Sequence, residues 1–95
     1  MFIVSLTYVK DFDTVDSYLQ EHVEYLKKQY EKGFFIASGR KVPRTGGVIL
    51  SDIKDKEELM DVLKNDPFYK NQVAEYDVIE FVPSMTSKEL DFLTV

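Results

Sequence analysis

His22 is the only histidine of the chain, and it lies in the stretch QEHVEYL at residues 20–26. Imidazole is the side chain that most readily gains and loses a proton near neutral pH, so His22 is the first candidate for acid–base chemistry. A carboxylate beside it would fix one tautomer of the ring and stabilise its protonated form, leaving the other nitrogen to move a proton. Asp66, in the stretch NDPFYKN, is the candidate for that carboxylate, and Ser38, in ASG, is a candidate for orienting a ligand.

Each of these residues also has a structural explanation. An inward histidine on an apolar helical face is more often a hydrogen-bonded core residue than a catalyst. Taken alone, Asp66 would more often be a local cap than an acid or base. The small residues of ASG could simply allow close packing of a strand. The chemical interpretation therefore depends on whether the fold brings these side chains together.

The first strand and helix can be predicted from the hydrophobic pattern. Residues 2–9, FIVSLTYV, are β-branched and aromatic with an alternating pattern, which predicts a strand. Asp13 is predicted to begin a helix that ends near Gly33, a typical helix-terminating residue. The apolar residues of this helix recur at helical spacing and include the histidine: Val15, Tyr18, Leu19, His22, Val23, Leu26 and Tyr30. His22 is therefore expected to point inward.

Three further strands are predicted at residues 34–41, 47–52 and 73–82. The first two of these form a hairpin across the turn sequence VPRTGG. A second helix begins at Asp55 and must stop before Pro67, because proline restricts the residue that precedes it.

The resulting order, βαββαβ, predicts an α+β fold of the ferredoxin-like kind, in which one antiparallel sheet carries both helices on one face. The helices then lie side by side. A carboxylate at the end of the second helix, such as that of Asp66, can approach a ring carried by the first helix, such as that of His22. The predicted topology therefore favours the acid–base pair.

Length and composition predict a single domain over residues 1–95, with a short C-terminal tail at residues 83–95. Thr86 and Glu89 form a capping box that predicts a short helix in this tail. A domain of this size has a thin core, and apolar residues are available for the sheet face that the helices leave bare. We therefore expect two copies to pair back to back through that face.

Charge and composition argue against several classes of function. A net charge of −5 without a run of Lys or Arg argues against binding to nucleic acid or to an anionic membrane. The absence of cysteine excludes disulfides and thiolate chemistry, and a single histidine with scattered carboxylates offers no metal-ligand spacing. The first residues lack the features of a signal peptide, and no stretch reaches the length of a membrane span, so a cytoplasmic location is expected.

Taken in order, these motifs resemble those of the YciI-like, or YCII-related, family. The resemblance covers nearly the whole chain and rests on a histidine inside the first helix, a glycine that ends it, FIASG, and DPF at residues 66–68. It implies a ferredoxin-like fold that pairs into a dimeric α/β barrel, with a site centred on His22 and Asp66 and with Ser38 and Gly39 as substrate-binding residues. The chemistry that it implies is acid–base lyase or isomerase work without a cofactor.

Two positions depart from the family pattern. Many relatives carry Arg three residues before the histidine, where this chain has Leu19, and many carry Pro after the glycine of the second strand, where it has Arg40. The first departure removes a cation that could bind an acidic substrate. Arg40 and Arg44 are both open as its replacement.

We therefore predict a cytoplasmic homodimer that acts without a cofactor on a small, cyclic or aromatic organic molecule, by elimination or isomerisation. His22 would be the proton shuttle and Asp66 its orienting partner. The alternative is a non-catalytic dimeric module that binds a small molecule or a partner subunit. A third option is a dimeric barrel of the monooxygenase-like kind, in which substrate and oxygen react without a cofactor. Fold alone does not separate these options, because many functions share this architecture.

Overall fold

A four-stranded antiparallel sheet forms the centre of the protein, in a computed structural model that describes residues 1–94. The strand order is β2–β3–β1–β4. The elements are β1 (Phe2–Tyr8), α1 (Phe12–Glu31), β2 (Phe35–Arg40), β3 (Gly46–Ser51), α2 (Lys56–Leu63), α3 (Pro67–Lys70), β4 (Ala74–Glu80) and a 3₁₀ helix (Lys88–Leu93). The four predicted strands and two long helices are all present, and their order is consistent with the ferredoxin-like arrangement.

Strand β1 is central because it pairs with both β3 and β4. Residues directly opposite one another in such pairs share a face of the sheet. Leu6 lies opposite Gly47 on β3 and opposite Tyr76 on β4, and this row faces the helices. The core lies between that face and the helices, and its fully buried side chains include Phe2, Val4, Val15, Leu59, Leu63 and Phe68.

Helices α1, α2 and α3 all contribute to the core on one face of the sheet, and the other face points away from that core. Its apolar side chains are Ile3, Val48, Leu50 and Ile79, which are partly or fully exposed, and Ile79 is 56% exposed. We call this surface the open face. Its apolar character is the feature on which the predicted pairing of two copies depends.

Helix α1 begins earlier than predicted. Asp11, and not Asp13, is the N-cap residue, and its carboxylate accepts the backbone N–H of Thr14 at 2.8 Å. Because this bond already satisfies a free N–H of the first turn, the chain is helical from the next residue onward. Asp13 lies inside the first turn, where a negative charge is favoured by the positive end of the helix dipole. Gly33 follows the helix with a φ of +76°, as expected for a glycine at this position.

Helix α2 begins at its predicted cap, since the carboxylate of Asp55 accepts the backbone N–H of Glu58 at 3.2 Å. It ends before Pro67 as predicted, but a second short helix, α3, then starts at Pro67 itself. A proline is well placed at the first position of a helix because its missing N–H would have no partner there.

None of the helices within residues 1–94 is long and apolar enough to cross a membrane.

The C-terminal tail contains the predicted short helix, but as a 3₁₀ helix. The predicted capping box of Thr86 and Glu89 is wrong. Ser87 is the residue that precedes the helix, and its side chain makes no capping hydrogen bond. The tail is anchored instead by Leu93, which is 5% exposed, so apolar burial takes the place of a cap.

Gly46 on β3 leaves no room for a side chain beside β1, and it provides a test of the sheet register. A Cβ atom on Gly46 would lie 1.7 Å from the backbone carbonyl oxygen of Leu6. Because a backbone atom of the central strand cannot move without disturbing the pairing, we expect Gly46→Ala to lower the free energy of unfolding by about 3 kcal/mol or more. Urea denaturation measures the loss.

Gly39→Ala is the matched control, because a Cβ there would meet no atom within 4 Å. It should change the free energy of unfolding by less than about 0.5 kcal/mol. Similar small effects of the two substitutions would contradict the register.

Candidate active site

His22 lies on the face of α1 that packs on the sheet, and it is buried. Its Nδ1 is hydrogen-bonded to Oδ1 of Asp66 at 2.7 Å. Its ring stacks on Phe68, with ring centroids 4.0 Å apart and an interplanar angle of 5°. The predicted contact between His22 and Asp66 is therefore present, and two independent contacts hold the plane of the imidazole.

Asp66 has no exposed surface. Besides His22, it receives hydrogen bonds from the backbone N–H of Phe68, 2.9 Å from Oδ1, and from the hydroxyl of Tyr76, 2.6 Å from Oδ2. An ionised carboxylate only accepts hydrogen bonds, so beside that form of Asp66 the ring of His22 donates from Nδ1. The oxygen that caps α3 is also the partner of the histidine, so the capping role of Asp66 and its contact with His22 occur together.

The DPF sequence builds this geometry locally. Asp66 adopts the extended conformation favoured before a proline, with φ −66° and ψ 128°. From that position its side chain caps α3, while Pro67 occupies the first helical position. Phe68 comes next and supplies the ring beneath the imidazole, so three consecutive residues provide the cap, the helix start and the stacking surface.

Tyr76 belongs to the site although no motif marks it in the sequence. It lies on β4 opposite Leu6, and its hydroxyl donates to Asp66. Burial raises the pKa of Tyr76 far above its usual range, and the negative charge of Asp66 raises it further, so the hydroxyl remains a donor. The one available signal was the alternation of β4, which places this tyrosine on the buried face, where a hydroxyl requires a partner.

A pocket of about 160 Å³ opens beside His22, between α1 and the strands β2 and β3. Nδ1 of His22 is bonded to Asp66, whereas Nε2 has no hydrogen-bond partner among residues 1–94. No polar side-chain atom that is fully buried in that part of the chain lacks a partner, so Nε2 keeps some accessible surface. It is therefore the nitrogen available to a bound molecule. The apolar lining consists mainly of Leu6, Leu19, Val23, Leu26, Ile49 and Phe68.

The remaining predicted residues lie on the β2 wall of this pocket. Ser38 and Gly39 line it together with Arg40. The hydroxyl of Ser38 is hydrogen-bonded to the hydroxyl of Tyr30 at 2.6 Å and to neither member of the His22 pair. Both predicted residues therefore line the pocket, and the side chain of Ser38 makes no hydrogen bond to His22 or Asp66.

Arg44 does not line the pocket. Its guanidinium is hydrogen-bonded to Asp16 and lies 4.8 Å from the ring centroid of Phe12 and 5.9 Å from that of Tyr8. Because these contacts hold it at the start of α1, Arg40 is the cation that the fold places at the pocket.

The arrangement can take up and return a proton. With Nδ1–H bonded to the carboxylate, Nε2 of a neutral imidazole carries a lone pair directed away from Asp66. When Nε2 takes a proton, the positive charge is stabilised by the adjacent carboxylate. Residues 1–94 contain no group of three or more His, Cys, Asp or Glu side chains arranged to hold a metal ion.

The raised pKa of Tyr76 predicts a loss of stability in alkaline solution. A tyrosine in the unfolded chain ionises near pH 10, whereas Tyr76 stays protonated in the folded protein to a higher pH. Above about pH 10 the unfolded state therefore binds fewer protons, and the free energy of unfolding falls by up to about 1.4 kcal/mol per pH unit for each such tyrosine.

Tyr76→Phe should reduce the slope of the free energy of unfolding against pH by up to the contribution of one tyrosine. Tyr25, whose pKa burial also raises, still contributes to the slope in the variant. Denaturant titrations at several pH values above about 10 measure the slope. Identical slopes in the two proteins would contradict the assignment.

Comparison with known proteins places this site in a wider context. No curated protein matches the chain. Nine chains of solved structures match it. One of them is the 5-chloro-2-hydroxyhydroquinone dehydrochlorinase of Burkholderia phenoliruptrix AC1100, solved in complex with 2,5-dihydroxybenzoquinone. It is 16% identical, the match covers 85% of this chain and 93% of that one, and the TM-score is 0.69, which shows a shared fold.

The model of one protein family matches most of the chain. It is described as the YCII-related domain, and the match spans residues 1–82. This span contains all four strands, the helices α1 to α3, and both His22 and Asp66. The family predicted from the order of the motifs is confirmed: the chain belongs to the YCII-related domain family.

Proposed function

We propose that this protein is a cofactor-independent enzyme that uses His22 and Asp66 as an acid–base pair on a small cyclic molecule, in an elimination or an isomerisation. The observation that carries the proposal is the unequal environment of the two ring nitrogens. Nδ1 is held by a buried carboxylate, whereas Nε2 has no partner among residues 1–94 and keeps accessible surface, in a histidine that lines the pocket. A histidine that serves packing alone gains nothing from leaving one nitrogen free beside a cavity.

The proton transfer follows from this geometry. Nε2 of His22 takes a proton from a carbon or from a ring hydroxyl of the bound molecule, and the electron pair of the broken C–H or O–H bond moves into the ring system. In an elimination a new π bond forms as the leaving group departs with its own bonding pair. In an isomerisation the imidazolium returns the proton to a different carbon. Asp66 stabilises the imidazolium, and Tyr76 positions Asp66 through its hydroxyl.

The size and lining of the pocket support a substrate with a single ring. Its volume of about 160 Å³ is close to that of a cavity known to hold benzene, about 150 Å³. Its walls are mostly apolar, and Phe68 presents a flat ring beside His22. The dehydrochlorinase that shares the fold is named for an elimination on a ring compound and was solved with a six-membered ring compound bound, which also favours this class.

The test of the acid–base pair uses His22→Gln, with Gln20→Asn at an exposed position of the same helix as the control. We expect His22→Gln to fold normally and to lower turnover by about 10²- to 10⁴-fold, because a group that cannot titrate replaces the base. Release of chloride from 5-chloro-2-hydroxyhydroquinone is the first assay. A folded His22→Gln protein with full activity on an identified substrate would falsify the proposal.

Asp66→Asn tests the pair without any substrate. An amide NH₂ at this position can donate to Nδ1, which transfers the ring proton to Nε2 and leaves the wrong tautomer for a base. We expect ¹⁵N NMR of neutral His22 to show the proton on Nδ1 in the wild type and on Nε2 in the variant.

If the pocket binds ring compounds without turning them over, and His22→Gln binds them equally well, the protein is the non-catalytic binding module.

We also propose that two copies pair through the open face into a dimeric α/β barrel. A specific dimer should bury about 1,200 Å² or more in total. Ile79→Lys places a charge on the open face and should produce a monomer in sedimentation experiments at micromolar concentration. Glu57→Lys, on the exposed surface of α2, introduces the same side chain elsewhere and should leave the dimer intact. A wild-type protein that sediments as a monomer contradicts the pairing.

A further inference from the structure

The charge of the pocket is opposite in sign to that of the chain. The protein has 17 acidic and 12 basic residues, yet no Asp or Glu lines the pocket. Apart from His22, Arg40 is the single residue with an ionisable basic side chain in the lining. The carboxylate of Asp66 lies behind the imidazole and is not part of the pocket surface. A molecule in the pocket therefore meets an apolar wall, a histidine and one permanent positive charge.

The sheet register places Arg40 toward the pocket. Arg40 on β2 lies opposite Gly47 on β3, and Gly47 in turn lies opposite Leu6 on β1. The three residues form one row on the face that carries the helices. Because Gly47 has no side chain, the row has a gap between the arginine and the leucine, and that gap forms part of the pocket floor.

Arg40 is also available for a ligand. It forms no ion pair within residues 1–94, where the ion pairs join His22 to Asp66, Arg44 to Asp16 and Lys54 to Asp52. A guanidinium presents several N–H donors in a plane and binds carboxylate and phenolate oxygens with strong, directional hydrogen bonds.

We propose that Arg40 determines the specificity of this site and selects a ring-sized molecule that carries a negatively charged oxygen. The inference rests on the proposed function, because it assigns a substrate class to the same pocket. The ring occupies the apolar space beside Phe68, and the charged oxygen faces Arg40 on the β2 wall.

Binding of two simple ring compounds tests the proposal without requiring turnover. Benzoate and benzyl alcohol are similar in size and differ in charge. At millimolar concentrations and low ionic strength, backbone amide NMR shifts of residues lining the pocket report both affinities. We expect wild-type protein to bind benzoate about tenfold more tightly than benzyl alcohol, as a charge-assisted hydrogen bond at a partly exposed site would give.

Arg40→Gln should remove this preference and leave the affinity for benzyl alcohol unchanged. Arg44→Gln is the matched control and should keep the preference, since Arg44 lies outside the pocket. His22→Gln should also keep the preference for benzoate, because Arg40 supplies the positive charge. That result would exclude a charged imidazole as the source of the preference.

The outcomes separate this inference from the proposed function. If Arg40→Gln keeps the preference for benzoate, or wild type shows none, the role of Arg40 is overturned while the acid–base pair is untouched. If the preference disappears in His22→Gln and persists in Arg40→Gln, the anion is bound by the histidine and the inference is again wrong. Failure of both compounds to shift any pocket residue overturns the ligand pocket itself, and with it the substrate class.

Discussion

A carboxylate that has no contact with water must have its hydrogen bonds supplied by the protein, and Asp66 imposes this condition on the whole molecule. Its partners come from three separate parts of the chain: His22 from α1, the backbone of Phe68 from α3, and Tyr76 from β4. Each of these elements must therefore lie at a fixed distance from the end of α2. The pair that we assign to chemistry is also the polar contact that sets the position of α1 over the sheet.

Because of this arrangement, removing a single member of the hydrogen-bond network destabilises the protein. Removal of one donor leaves a buried charge with an incomplete set of partners, which is less favourable than an apolar replacement of the whole group. A network of this kind is retained when it provides something that packing does not. Here it holds a histidine that lines the pocket in a single orientation.

Much of this arrangement could be predicted from residue types and spacing. The apolar stripe of the first helix indicated that His22 points inward, and the βαββαβ order brought Asp66 toward it. Features that depend on distances between strands could not be predicted. The partnership of Tyr76 with Asp66 follows from the register of β4 on β1.

The choice between Arg40 and Arg44 follows from which arginine the β2–β3 hairpin places at the pocket. The differences between the predicted and observed helix ends had local causes. Asp11 and Asp13 are both plausible caps, and the hydrogen bond to Thr14 decides between them. A proline that ends one helix can also begin another, as Pro67 does for α3.

Because β2 lies at the edge of the sheet, the pocket residues that it carries can be substituted at less cost than the His22–Asp66 pair. Edge strands make ladder contacts on one side only, and the residues of β2 that line the pocket are exposed. Substitutions at Ser38, Gly39 or Arg40 therefore disturb few packed neighbours, whereas substitutions at Asp66 disturb three elements at once. If His22 and Asp66 act as proposed, related proteins with this fold can change the molecule that they accept by substitutions in β2 and keep the His22–Asp66 pair intact. Sequence differences that change the substrate are then expected to concentrate on β2.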